Sequence, residues 1–228
     1  MDACVSATND LSVPTDFNGW WNLRGESVEP ANVRRDGESG VERLVLPALG
    51  MVYIKRQRNH LFRSLRYPFG LPTVMREKFA TSALRKLSIT TPEIVFAEAR
   101  KVNGDWQAVL VTKSLDGFVD LETWYGRGGR QRIGDEQHQR LLQEMGRVLG
   151  VMHNAQWQHT CLYPKHIFLT AGDTEKLPEI ALLDLEKARH CWLPNKAARR
   201  DLDQLYRHSR KLWSEQDWQV LLASHNQK

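Results

Sequence analysis

The sequence predicts an α+β fold of two lobes, and two observations support this. Short β-branched and apolar runs separated by glycines fill much of the first half, which is typical of a small antiparallel sheet. The second half instead repeats apolar residues at helix spacing. The composition changes at residues 114–117, so we expect one domain over residues 17–228, with lobes at about 17–113 and 114–228. Residues 1–16 are polar and are predicted to be loose.

The first lobe is predicted to contain a sheet interrupted by one helix. The pattern is strand-like from about Phe17, and the clearest strands are at 33–35, 41–46, 51–55, 93–100 and 105–113. A helix at about 73–87 is indicated by apolar residues on one face, namely Phe79, Ala80, Ala83, Leu84 and Leu87. Asn103-Gly104 predicts a hairpin turn between the last two strands.

The second lobe is predicted to be mostly helical. A long helix at about 135–155 and two closing helices, at about 195–213 and 214–224, carry the apolar periodicity. Ser214 is a plausible N-cap for the last of them. Two apolar runs between the helices, 167–169 and 180–183, indicate a small hairpin.

Composition and charge limit the classes of function. The three cysteines form no Cys-x-x-Cys pair, which argues against a disulfide framework and a zinc site and favours a reducing cytoplasm. The net charge of +5 suits an anionic ligand or membrane surface, or is simply a solvated basic surface. Basic residues cluster at 55–66 and 187–200 without a nucleic-acid-binding signature, so we expect no nucleic acid partner.

The order of elements is that of a protein-kinase-like fold. Phosphoryl transfer on such a fold needs a cation that binds the phosphates of ATP. Lys55 ends the third predicted strand and occupies that place, and Glu77 in the following helix could pair with it. The turn at 36–40, with its candidate nucleotide-binding residues Gly37, Ser39 and Gly40, stands where a phosphate-covering loop belongs. An ordinary hairpin turn explains the two glycines equally well.

A stronger pattern is the segment from His159 to His166 followed by Asp184. Aligned with the kinase motif His-Arg-Asp-Leu-x-x-x-Asn, His159 takes the first place, Cys161 the aspartate place and His166 the asparagine place. Asp184 follows an apolar strand, as the metal-binding aspartate of a kinase does. We therefore expect Asp184 and His166 to manage the metal and the phosphates.

These residues resemble the bacterial lipopolysaccharide kinase family, most of all its InaA-type branch. The resemblance rests on residues 53–56, 60–70, 76–77, 159–167 and 183–187 and covers nearly the whole chain from about Phe17. It implies ATP with Mg²⁺ and phosphorylation of a sugar hydroxyl of lipopolysaccharide core or another anionic glycolipid. It also implies a cytoplasmic protein in peripheral contact with the inner membrane. Asp201 resembles the helix aspartate that hydrogen-bonds the catalytic-loop backbone.

Cys161 departs from this family, whose active sugar kinases have aspartate there. A thiol with a pKa near 8.5 is a poor acceptor for the substrate proton at pH 7. His159, Glu186 or a water could replace the missing base. Two hypotheses follow: a kinase that transfers phosphate to a sugar hydroxyl, and a pseudokinase that keeps the nucleotide pocket or only the fold as a regulatory module.

Overall fold

The computed structural model describes residues 12–34, 37–170 and 178–227. Its strands are β1 (Glu26–Ser27), β2 (Asn32–Arg34), β3 (Gly37–Leu46), β4 (Gly50–Arg58), β5 (Leu61–Phe62), β6 (Leu71–Pro72), β7 (Ile94–Val102), β8 (Asp105–Lys113), β9 (Phe118–Asp120), β10 (Trp157–Gln158), β11 (Ile167–Thr170), β12 (Ile180–Leu182) and β13 (Arg189–His190). Its α-helices are α1 (Phe17–Asn22), α2 (Thr73–Lys86), α3 (Leu121–Gly126), α4 (Gly129–Asn154), α5 (Pro194–Ser209) and α6 (Glu215–His225). Among the described residues, no helix is both long and apolar enough to cross a membrane.

The described residues form two compact units. One contains those up to 74 together with 93–114, and the other contains 75–92 and those from 115 onward. The division after residue 114 coincides with the predicted change of composition. Residues 75–92, however, belong to the second unit, because Ala80, Leu84 and Ile89 pack into its core.

An antiparallel sheet dominates the first unit. Its strand order is β1-β3-β4-β8-β7, and β2 pairs with β3. The register places Lys55 of β4 opposite Val41 of β3 and Leu110 of β8. Lys55 therefore lies on a central strand, where pairing on both sides fixes its backbone.

The segment from Phe17 is helical, so the strand-like interpretation was wrong. The Asp16 side chain caps α1 by accepting a hydrogen bond from the Gly19 N–H at 2.8 Å. Trp20 is buried with Val52 and Ile54 of the sheet, so the aromatic residues of α1 cover one face of it. Of the predicted loose residues 1–16, those up to 11 lie outside the described residues, and Asp16 is an ordered cap.

The predicted turn at 36–40 also needs correction. Asp36 lies outside the described residues, but Gly37, Ser39 and Gly40 belong to β3. Ser39 pairs with strands on both sides, because its partners are Asn32 of β2 and Gln57 of β4. The ladder extends further than the sequence predicted because glycine and serine are accepted in a strand once both neighbouring strands are present.

The core of the second unit is built around the long helix α4, and the small hairpin predicted at 167–183 is present as β11 paired with β12. Ser214 caps α6 in a capping box with Asp217, as the sequence predicted. The helices α4 and α6 pack closely. A Cβ added at Gly146 would stand 2.3 Å from the Leu221 carbonyl oxygen, and one at Gly150 would stand 2.7 Å from that of His225.

We expect Gly146→Ala to destabilise the second unit by about 1–3 kcal/mol, the usual cost of overpacking a closed interior. The added methyl group meets backbone rather than a flexible side chain, so α6 has to shift. Gly126→Ala is the matched control, because a Cβ there has nothing within 4 Å. Urea unfolding followed by circular dichroism measures both. Equal midpoints for the two variants would contradict the close packing of α4 on α6.

Candidate catalytic loop

The loop from His159 to His166 is fixed from behind by Asp201 of α5. The buried Asp201 carboxylate accepts hydrogen bonds from the backbone N–H of His159 at 2.6 Å and of Thr160 at 2.9 Å. Thr160 has φ +67°, a conformation that is costly for a β-branched residue. The two bonds to Asp201 help to offset that cost. The prediction that Asp201 holds the loop backbone is confirmed.

Two histidines, His153 of α4 and His225 of α6, connect Asp201 to α6. His153 Nε2 lies 3.2 Å from Asp201 Oδ2, and His153 Nδ1 lies 2.9 Å from His225 Nε2. Since a carboxylate can only accept, His153 donates to Asp201 through Nε2, and one proton lies between His153 Nδ1 and His225 Nε2. Burial lowers the pKa of His225, against the opposing effect of its hydrogen bond to the Asn226 side chain.

His159 is fully buried and both of its ring nitrogens are engaged. Nε2 lies 2.9 Å from the Leu183 carbonyl oxygen and must donate to it. Nδ1 then accepts from the Cys161 N–H at 3.3 Å. Burial lowers the pKa of His159, and the Asp201 carboxylate offsets this only in part. A neutral ring with its lone pair already used cannot take a substrate proton, so we interpret His159 as a residue that positions the loop.

His166 and Asp184 lie side by side at the front of the loop. His166 Nδ1 donates to the Cys161 carbonyl oxygen at 2.8 Å, which leaves Nε2 3.5 Å from Asp184 Oδ2. Asp184 has φ +58°, a left-handed conformation that is uncommon outside glycine. Strained residues of this kind concentrate at functional sites. The structure therefore brings together the two residues that the sequence predicted as metal ligands.

The backbone of Cys161 contacts both His159 and His166. Its N–H donates to His159, and its carbonyl oxygen accepts from His166. Its side chain is 9% exposed, and the Arg76 guanidinium of α2 is close enough to interact with it. Arg76 is held by the Glu186 carbonyl oxygen, to which its Nε donates. Burial lowers the pKa of Arg76, against the opposing effects of Glu186 and Cys161. The place of the missing aspartate is thus nearly closed to solvent and next to a cation.

The remaining predicted residues are divided between the two units. Lys55, Gly37, Ser39 and Gly40 lie in the sheet of the first unit, and Glu77 lies on the part of α2 that belongs to the second. A Lys55–Glu77 ion pair and nucleotide binding by the three β3 residues stay predictions.

Two polar residues that the sequence analysis did not select support the site. Gln57, two positions after Lys55, is buried, and its amide oxygen accepts from the Val74 N–H at 3.0 Å. It thereby holds the start of α2. His225 orients His153, as described above. Gln57 is a polar residue on an inner strand, which is a recognisable sequence signal. His225 ends the last helix, where a histidine gives no such signal.

Comparison with known proteins identifies the family of the chain. Residues 18–225 match the lipopolysaccharide kinase (Kdo/WaaP) family. The chain belongs to this family. As a lipopolysaccharide kinase family member, it is also similar to Protein InaA of Escherichia coli (strain K12), with 38% identity over 208 residues that cover 91% of this chain and 94% of that protein.

The fold is confirmed by a solved structure described as WaaP in complex with acyl carrier protein. The two chains superimpose with a TM-score of 0.68 at 19% sequence identity, over 91% of this chain and 80% of the other. At this identity the likeness concerns the fold alone. It establishes the protein-kinase-like fold that the order of elements predicted.

Proposed function

We propose that the protein binds ATP with Mg²⁺ and transfers the terminal phosphoryl group to a sugar hydroxyl of lipopolysaccharide core or a related envelope glycan. The observation that carries the proposal is the pair formed by His166 Nε2 and Asp184 Oδ2, 3.5 Å apart. Family membership supports the reaction class, and the acceptor is inferred from the family's description.

The residues at this pair fit a divalent cation. Asp184 supplies the carboxylate that Mg²⁺ prefers, and Mg²⁺ is usually held by one or two carboxylates together with phosphates and water. No cluster of three or more histidine, cysteine or acidic side chains suited to a metal exists in the described part of the chain. A site completed by nucleotide phosphates therefore fits better than a closed protein site. Bound Mg²⁺ would neutralise charge on the transferred phosphoryl group.

The protein's own residues would position the reacting groups and stabilise the negative charge of the phosphates. Asp201 and His159 fix the loop backbone, while the Cys161 carbonyl oxygen fixes the tautomer of His166. In the first unit, Lys55 would hold the α- and β-phosphates, and the nearby β3 residues would cover them. Glu77 would orient Lys55. Because phosphoryl transfer depends mainly on positioning and electrostatics, this machinery can support slow transfer without a carboxylate base.

We expect Asp184→Asn to weaken Mg²⁺-dependent ATP binding by at least about tenfold, because loss of even an outer-shell partner of a metal costs that much. Thermal-shift titration with ATP, with and without Mg²⁺, measures the binding, and radiolabelled phosphate transfer to isolated lipopolysaccharide core measures turnover. Asp203→Asn, an exposed aspartate of α5, is the matched control. Full Mg²⁺ dependence in Asp184→Asn would refute the metal site. Binding without transfer to any core glycan would refute the reaction while leaving the nucleotide site standing.

The second candidate function is a pseudokinase, and the Cys161 thiol favours it. The group in the aspartate place is a nearly buried thiol, and His159 is not available as a base. Such a protein would bind nucleotide and act through its shape. Nucleotide-dependent stabilisation without turnover, in protein purified to the same standard, would select this candidate over the first.

A further inference from the structure

The segment between β5 and β6 presents apolar side chains outward in a fixed geometry. Ser64 and Tyr67 exchange backbone hydrogen bonds of 3.2 and 3.0 Å, so Leu65 and Arg66 form a two-residue tip. A second turn follows at once, closed by the Gly70 N–H and the Tyr67 carbonyl oxygen at 3.1 Å, with Phe69 at its centre. We call residues 61–72 the basic hairpin.

The two apolar residues of these turns are unusually accessible. Leu65 is fully exposed and Phe69 is 89% exposed, which makes them the most exposed large apolar side chains among the described residues. The base of the hairpin is packed, because the rings of Phe62 and Tyr67 meet edge to face with centroids 5.8 Å apart. The turns and this packing hold the two side chains outward. Exposed apolar surface can mark an interaction site, and here two such side chains lie on consecutive turns of one hairpin.

The charge around the tip selects the kind of partner. Arg66 lies on the first turn and Arg63 directly precedes it, and both are exposed. Residues 43–76 contain no aspartate or glutamate. A convex tip with apolar side chains at its end and cations beside them matches the boundary of an anionic bilayer, where acyl chains lie beneath phosphate groups. Arginine is suited to this boundary because its stem is apolar and its head binds phosphate.

We propose that the basic hairpin docks the protein on an anionic phospholipid surface, with Leu65 and Phe69 inserted at the level of the acyl chains and Arg63 and Arg66 on the headgroup phosphates. This docking goes beyond phosphoryl transfer and needs no nucleotide. It would keep the protein at a surface on which a lipid-linked acceptor is concentrated.

Vesicle flotation of the full chain without nucleotide tests this proposal. We expect binding to vesicles of phosphatidylcholine with phosphatidylglycerol and none to phosphatidylcholine alone. The double variant L65S/F69S should bind at least about tenfold more weakly, because the inserted apolar area is lost. In R63Q/R66Q each lost charge should weaken binding about fivefold, with a smaller effect at high salt. V45S removes an apolar side chain that is 60% exposed on a strand and should leave binding unchanged.

Several results would overturn the docking. They are no binding of the unaltered chain to anionic vesicles, equal binding by L65S/F69S, or complete displacement by soluble glycerol phosphate. Binding to polyglutamate but not to vesicles would assign the hairpin to an acidic protein instead. Both hairpin variants alter exposed residues only. A circular dichroism spectrum equal to that of the unaltered protein would show that a loss of binding is not caused by unfolding. Because no ATP is present, failure here is distinct from failure of phosphoryl transfer.

Discussion

Replacing Cys161 by aspartate is expected to raise the rate of phosphoryl transfer by about 10²- to 10⁴-fold, the usual contribution of a general base. The carboxylate would stand where the acceptor hydroxyl gives up its proton. The measurement is the initial rate of phosphate transfer from ATP to lipopolysaccharide core at saturating Mg²⁺. The effect should appear in kcat, because the aspartate is not expected to bind the nucleotide.

The surroundings of Cys161 can accept this substitution. The backbone of residue 161 is already fixed by its bonds to His159 and His166, so the new side chain would start from the place that aspartate takes in the kinase motif. The Arg76 guanidinium nearby favours the charged form of a carboxylate and would keep the aspartate ionised.

Two controls separate a base from other effects of the change. Cys161→Ser keeps the size and adds no carboxylate, so it should give no gain in rate. Cys191→Asp places a carboxylate at the other free cysteine of the described residues and should also be neutral. A Cys161→Asp variant that binds ATP and Mg²⁺ normally yet transfers no phosphate would show that more than the base has been lost, as a pseudokinase predicts.

The second large effect concerns stability. Asp201→Ala is expected to lower the free energy of unfolding by about 3 kcal/mol or more, since each buried polar group left without a partner costs about 1–3 kcal/mol. The change removes the acceptor for two backbone N–H groups and for His153. The urea midpoint measures the loss, and any phosphoryl transfer should fall with it because the loop backbone is released.

The control for this prediction lies on the same helix. Asp203 is exposed two positions further on, and Asp203→Ala should change stability by only a few tenths of a kcal/mol. Asp201→Asn keeps one acceptor oxygen and should fall between the two. Equal midpoints for Asp201→Ala and Asp203→Ala would show that the loop does not depend on this carboxylate.

The sequence carried more information about the site than about the start of the chain. Lys55 and Asp184 could be selected because the first ends and the second follows a recognisable apolar run, and His166 because it directly precedes one. The helix α1 was missed because Phe17 and Trp20 favour strands, and the helix exists through the Asp16 cap and packing on the sheet. Tertiary contacts of this kind outweigh local propensity.

The roles of the histidines show a second limit of sequence reasoning. His159 was a candidate base by residue type, but its burial and its two hydrogen bonds leave it no lone pair for a substrate. His225 has no local sequence signal for its role, because its partner His153 is 72 positions away. Which nitrogen donates depends on contacts between distant segments, and a local pattern contains no trace of them.

The same separation has a consequence for biosynthesis. A ribosome makes the chain from its N-terminus, so the loop from His159 to His166 is translated before Asp201 and before His225. Until α5 has docked, the Thr160 N–H lacks the Asp201 carboxylate that helps to hold its left-handed backbone. Nascent chains should therefore acquire an ordered loop late, as long-range contacts form after local ones.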